Sequence, residues 1–486
     1  MVTSANIYQC VDPVQQKQLS TLISSKISFV NLFELMLVVH LTVHVGGGVG
    51  SVLKDYLRLS EEGGIKNMLL CLDRCETNFA DFSNAVVAFQ GVAFEKADLF
   101  QEFLANCDVI LIHYWNHPLM AQFLSNVQLP PCRLLFWCHN SGLHEPHIIP
   151  NYLSRMARKL IFTSHCSLHA PNISSLSTTE LDNIGVVHST RSLNDFLAIG
   201  QQRPVRLKPQ NLLYVGTVSK AKMHPTSAEI LAALSRKGYI ISVVGGPDHR
   251  ALAAEVVSLG GDIQVFGSAN NVYDFYRNAD IFIYPLRNDH YGTGEQVILE
   301  AMAAGIPVVA FDNPAERAIL KDGVDGVLVS STKEFIDAVS ELANDSVALQ
   351  TISRLAIASI QENFNAQLMT EKLIQILYEL IDFEKTIPQS PMSISTSGNE
   401  LSLYALNSFF DEDVYESIVE HPDQAVEIVY SKIRPDLETW ESATKWLGSS
   451  KSTPFHYLKY FPDSSDLRRL TQLIQNCSSP SRRMGI

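Results

Sequence analysis

Residues 291–310 read YGTGEQVILEAMAAGIPVVA. Gly292 and Gly294 make a pliant loop ahead of a helical pattern from Glu295 to Ala304. That pattern ends at Gly305, and an apolar, β-branched run, Pro307–Phe311, follows as a buried strand. A glycine-bearing loop that opens a helix leaves first-turn N–H groups unpaired, and with the helix dipole they can face phosphate oxygens. Glu300 lies five residues into the helix, where its carboxylate can reach the ribose hydroxyls of a nucleotide. A lone glutamate on an amphipathic helix is ordinarily a solvated one. Here the glycine-bearing start and the strand behind it favour a ligand role.

Strand and helix alternate outward from this segment in both directions. Leu212–Val215, Ile240–Val244, Ile263–Phe266, Ile281–Tyr284 and Val327–Val329 read as further strands, with helices such as Ser227–Ser235 between them. Upstream, Leu35–Leu41, Asn67–Leu72, Val109–His113, Arg133–Cys138 and Lys159–Thr163 repeat the rhythm. Buried strands separated by helix-length segments imply βαβ crossovers and parallel sheets. Gln201–Gln210, with Pro204 and Pro209, reads as a linker. The expected organisation is an N-terminal extension (1–30), a Rossmann-like domain (31–203), a second Rossmann-like domain (204–383), a connector (384–399) and a helical module (400–486). The connector contains TIPQSPMSISTSGN; the module carries helical patterns at Glu412–Tyr430 and Leu467–Ile474, with Trp440 and Trp446 between. The fold class is therefore α/β, with two doubly wound domains facing a cleft, and such sheets bind ligands at the carboxyl ends of their strands.

Composition limits the partners. The chain of 486 residues has 37 Lys+Arg against 51 Asp+Glu, a net charge of −14. An acidic chain lacks the basic excess that nucleic acid requires, so nucleic acid is not an expected partner. Eight cysteines without a repeated CxxC pair read as reduced thiols, Cys71, Cys75, Cys132 and Cys138 among them. The N-terminus lacks a basic region followed by an apolar run. Ile27–Val45 is interrupted by Glu34, His40 and His44, which suits a buried strand rather than a membrane span. A cytoplasmic location is expected, with peripheral membrane contact left open.

A second glycine run, VGGGVGS at Val45–Ser51, lies between a strand and a helical pattern starting at Val52. A dinucleotide fingerprint would need glycine where Ser51 stands, with Asp73 as its acidic partner. That motif alone weighs equally for a tight β–α turn, and a dehydrogenase reading leaves residues 291–310 unexplained. Cys138, His139, His144 and His147 are grouped, but their spacing fits no closed zinc set, and no metal is expected.

The stretch EAMAAGIPVVAFDNPAERAILKDGVDGVLV, from Glu300 to Val329, resembles the signature region of retaining GT-B glycosyltransferases of family 4 (group 1). The resemblance spans residues 34–383, closing with the helix Asn365–Ile381. It is strong in the second domain and weak in the first. It implies a GT-B fold and transfer of a sugar from a nucleotide-diphosphate sugar to an acceptor hydroxyl, with retention and without metal or further cofactor. It also implies site residues. Lys222, after Leu213–Gly216, would hold the diphosphate, with Thr217 standing where arginine is common. His139 would point at the donor sugar. Gly47 and Gly48 would lie near the sugar and acceptor, and Gly292, Thr293, Gly294, Glu295 and Glu300 would bind the donor. The catalytic set is thus His139, Lys222 and Glu295. The family commonly carries two glutamates eight positions apart, and here Gly292 occupies the earlier position. Either Glu295 or Asp289 replaces that contact, or the site is reorganised, or the chain is a non-catalytic subunit that binds an active partner through its acidic helical tail. The acceptor is not named by the sequence, and homo- or hetero-oligomers through the module stay open.

Overall fold

A computed structural model describes residues 35–73, 82, 85–90, 101, 104–204, 208–269, 271–389, 400–405, 412–447 and 452–478. The expected extension 1–30, Cys75 and residues 390–399 of the connector lie outside the described residues. Two parallel sheets form. In the first, β1 (Met36–Thr42), β2 (Ile65–Cys71), β3 (Ala85–Gln90), β4 (Val109–Tyr114), β5 (Leu134–Cys138), β6 (Lys159–Phe162) and β7 (Ile184–Val186) take the order β3-β2-β1-β4-β5-β6-β7. In the second, β8 (Asn211–Val215), β9 (Ile240–Val244), β10 (Gln264–Val265), β11 (Ile281–Tyr284), β12 (Val308–Phe311) and β13 (Val327–Val329) take the order β10-β9-β8-β11-β12-β13. Strands covered on both faces need continuous apolar runs. β1, β4 and β5 are buried at every position, their apolar runs broken only by His40 and Thr42 in β1 and His113 in β4.

The structure adds strands β3 and β7, the two edges of the first sheet. β7 has only three residues, too few to display a period. The helix after β1 begins at Gly47 rather than Val52 and runs to Glu62. Its first turn is the glycine run itself, and Gly50 is a packing glycine: a Cβ there would stand 1.9 Å from the Val45 carbonyl oxygen. The apolar cores place the crossing to the second domain ahead of the proline-bearing stretch. Leu193, Phe196 and Ile199 of the helix region before Gln202 already belong to the second core. Arg203 then fixes the chain there by donating to the carbonyls of Ala304, Ala279 and Tyr276 at 2.8, 2.6 and 2.8 Å.

Helix Ala366–Ile381, capped by the Asn365 side chain on the Leu368 N–H (2.7 Å), returns to the first domain. Its Met369, Leu373, Leu377 and Leu380 share a core with Val38, Leu53 and Tyr56. The start of the expected connector is anchored rather than loose: Thr386 exchanges backbone hydrogen bonds with Cys132 at 2.9 and 3.1 Å. The helical module has its own core, including Leu401, Tyr404, Trp446, Tyr457 and Leu470, which also takes in Ala121 of the first domain. The pattern at 412–430 is two helices, Glu412–Glu420 and Ala425–Ile433, because Pro422 has no N–H to continue the first. The module touches both domains. Ser452 donates to the Asn116 carbonyl (2.6 Å), Tyr460 donates to Asp73 (3.0 Å), and Arg287 donates to Thr444 (2.8 Å). Among the described residues no helix is long and apolar enough to cross a membrane.

Candidate active site

The loop after β11 presses against the first domain. Ser141 donates its N–H to the Tyr291 carbonyl (3.3 Å), the Thr163 and Thr293 hydroxyls are 3.2 Å apart, and the His147 and Tyr291 rings lie 4.9 Å apart. Gln296 opens the helix Gln296–Ala303, accepting from the Arg191 N–H (3.1 Å) and donating to the Ser189 carbonyl (2.6 Å). Gly47 and Gly48 are exposed, and nothing lies within 4 Å of a Cβ built on Gly47. A Cβ on Gly48 would stand 3.9 Å from Gln296 Cγ. The first domain's glycine run thus faces the second domain's helix start.

Glu295 precedes that helix, but its side chain turns into a buried cluster. Lys222 Nζ donates to Glu295 Oε2 at 3.0 Å, the Tyr284 hydroxyl donates to the same oxygen, and His290 Nδ1 stands 3.9 Å from Oε1. His290 Nε2 lies 3.1 Å from the buried Glu316 carboxylate. Burial opposes charge on Lys222, Glu295 and His290. The ion pair prevails, holding Lys222 above and Glu295 below their ordinary values. For His290, too, burial is outweighed by Glu316, and its pKa is raised. Gly292 lies against this cluster, its N–H donating to His290 Nδ1 (3.0 Å). Asp289, the other candidate for the missing glutamate's role, is engaged by the Arg287 guanidinium; burial resists its charge, yet that hydrogen bond holds its pKa down.

Glu300 is buried where the sequence places it, with its oxygens on Arg191 Nη2 (3.1 Å) and the Tyr276 hydroxyl (2.7 Å). Burial raises its pKa despite Arg191. Thr217 is half-buried, and its carbonyl accepts from the Tyr214 hydroxyl (2.7 Å). Just before it, Gly216 meets Gly245 so closely that a Cβ on Gly245 would stand 1.8 Å from the Gly216 oxygen. This bare-backbone contact joins the carboxyl ends of β8 and β9.

His139 follows β5, half-buried, with Nε2 3.0 Å from His113 Nδ1. Burial pushes its pKa down to about 3. Sequence reasoning missed His113 and His40, which stand behind it, and treated His40 only as an interruption of an apolar run. It also missed His290, Glu316 and Arg191. The available signal was a histidine set in an otherwise unbroken buried strand, an environment that needs polar partners. Among the described residues no group of three His, Cys, Asp or Glu side chains is arranged to hold a metal ion.

Residues 209–345 match the family described as Glycosyl transferases group 1. A lipopolysaccharide core biosynthesis mannosyltransferase, LpsB, of Rhizobium meliloti is 30% identical over 144 residues, covering 28% of this chain and 40% of that protein. A D-inositol 3-phosphate glycosyltransferase of Actinosynnema mirum is 30% identical over 162 residues, covering 29% of this chain and 38% of its own. The chain therefore spans about 40% of the length of these curated relatives. Anabaena HepE, solved in complex with UDP-glucose, superposes with a TM-score of 0.55 at 17% identity, over 71% of this chain and 100% of its own. A Rickettsia africae glycosyltransferase gives a TM-score of 0.56 at 16% identity, over 72% and 100% respectively. The fold is thus GT-B, two Rossmann-like domains with an added helical region.

Proposed function

We propose that the chain is a glycosyltransferase that moves a sugar from a nucleotide-diphosphate sugar to an acceptor hydroxyl, with retention and without a bound metal or further cofactor. The observation that carries this reading is the cluster at Gly292. There Glu295 supplies a carboxylate beside Lys222 although the usual glutamate position is empty. Departure of a nucleotide diphosphate leaves negative charge on its phosphate, and a preorganised cation together with loop N–H groups stabilises it. Lys222 fills that role with the loop N–H groups around Gly292–Glu295, save that of Gly292 itself, which His290 Nδ1 already accepts. Glu300 binds the ribose, Thr217 and Gly48 flank the donor, and His139 meets the sugar. Closing the domains excludes water and suppresses donor hydrolysis. The matched family segment and the UDP-glucose complex of HepE support the donor class. Six described cysteines are free thiols, in keeping with a cytoplasmic site of action.

The test is turnover of a panel of nucleotide-diphosphate sugars by the purified chain, with proton NMR of the product and with chelator present. The expected product keeps the donor's anomeric configuration at an undiminished rate. Inversion, or loss of turnover in chelator, would contradict the respective part.

A second reading has its own observation. Lys222 and Glu300 are both already ion-paired inside the protein, with Glu295 and Arg191. A non-catalytic subunit would keep those pairs permanently. It would bind no nucleotide diphosphate in calorimetry and would co-purify with an active partner.

A further inference from the structure

A line of hydrogen-bonded side chains crosses the first sheet from its far side to His139. Ser60 Oγ donates to the Leu57 carbonyl (3.3 Å), so it serves as acceptor for Asn67 Nδ2 (2.9 Å). This orients the Asn67 amide with its Oδ1 toward His40 Nε2, 3.0 Å away. His40 Nδ1 then lies 3.0 Å from His113 Nε2, and His113 Nδ1 lies 3.0 Å from His139 Nε2. Asn67, His40 and His113 sit on the neighbouring strands β2, β1 and β4, all buried, and His139 follows β5. Burial keeps the three imidazoles neutral.

A neutral imidazole has one N–H and one bare nitrogen. Asn67 Oδ1 can only accept, so His40 carries its proton on Nε2 and its Nδ1 is bare. His113 must then donate from Nε2, and His139 must donate from Nε2 in turn. Each step leaves one choice. We infer that Asn67, His40 and His113 are positioning residues that fix His139 as the Nε2–H tautomer, so that its bare Nδ1 is presented as a hydrogen-bond acceptor to a sugar hydroxyl. The inference deepens the proposed function and rests on it for the sugar. The tautomer itself is independent of any activity. His139 in this state carries no charge and spends its one N–H on His113, so toward the sugar it only accepts, and its contribution is orientation of the hydroxyl it accepts from.

The experiment has two arms. Long-range nitrogen–proton correlation spectra of the full chain, labelled in histidine, report the tautomers directly. The expected result at pH 7.5 is Nε2–H at His40, His113 and His139, with none of the three titrating above about pH 5. A Nδ1–H tautomer at any of them, or a His139 titration near the ordinary value, would overturn the inference, whatever the protein's activity. The second arm compares His113→Gln with His113→Leu in donor turnover. A glutamine amide can donate to His40 and accept from His139, whereas leucine can do neither. His113→Gln is expected to stay within about threefold of the parent kcat. His113→Leu is expected to lose about tenfold in kcat, the worth of one well-made hydrogen bond, with little change in KM. Equal losses in the two variants would show that position 113 acts by packing alone. Should the chain prove inactive, the spectra still decide the tautomer.

Discussion

The carboxylate of Glu295 stands in the space that a side chain on Gly292 would fill. A Cβ built on Gly292 would lie 1.6 Å from Glu295 Oε1 and 2.9 Å from His290 Nδ1. The two positions are therefore alternatives: one carboxylate fits beside Lys222, from residue 292 or from residue 295.

This relationship predicts a swap. Gly292→Glu alone forces two carboxylates toward one lysine and should abolish donor binding. The double variant Gly292→Glu with Glu295→Gly should recover it in calorimetry with a nucleoside diphosphate. A double variant as defective as the single one would show that the site depends on Glu295 for more than its charge.

Breaking the Lys222–Glu295 pair from one side strands a buried charge. Lys222→Met should destabilise the fold by about 3–5 kcal/mol in urea titration. Adding Glu295→Gln removes the stranded charge and should return most of that stability, while nucleotide binding stays lost. Binding that survives in the stable double variant would remove Lys222 from the proposed donor site.

Acid should weaken the fold before most carboxylates titrate. His40 is held down to about 4, His188 to about 4 and His139 to about 3, all chiefly by burial. The unfolded chain's imidazoles take up protons near 6.5, so below that pH the unfolded state binds more protons and stability falls, down through about pH 4 and on to about 3. His290 works in the opposite sense. Its raised pKa contributes stability that is full below 6.5 and is lost as pH rises through the raised value. The depressed histidines outnumber it, so Tm followed by circular dichroism should be lower at pH 5 than at pH 7.5, and His290→Gln should steepen the drop. A flat Tm across that interval would contradict the burial of neutral imidazoles.

Arg287 links the module to the second domain through Thr444 and is itself held by Asp289. Arg287→Ala should leave Asp289 without its partner and speed amide hydrogen exchange over residues 440–447 by about tenfold, the equivalent of one lost charge-assisted hydrogen bond. Unchanged exchange there would mean that the module is held by the first domain alone.

The strands of both sheets, apart from the edge strands β3 and β7, were legible because buried parallel strands need long apolar runs, as in the ILI stretch of β4. The helix start at Gln296 was legible because glycine marks the turn before it. What the sequence hid has a common cause: long-range pairing. The sequence offered Glu295 and Asp289 alike for the contact missing at Gly292, and only side-chain direction shows that Glu295 fills the space beside it. His40 and His113 are 73 residues apart, and nothing local in either strand announces their hydrogen bond. The return of helix Ala366–Ile381 to the first domain is likewise invisible to periodicity, which gives a helix its apolar face and not its partner.

Among the described residues, hydrogen bonds tie the tail to both domains: Ser452 and Tyr460 grip the first, and Thr444 the second. The domains cannot separate at this side while these bonds and the tail's internal packing persist. Opening must either release Thr444 from Arg287 or stretch the packing around Trp446 and Tyr457. The tail is therefore a tie between the two domains, and its own cohesion resists their separation as much as any direct contact between them does.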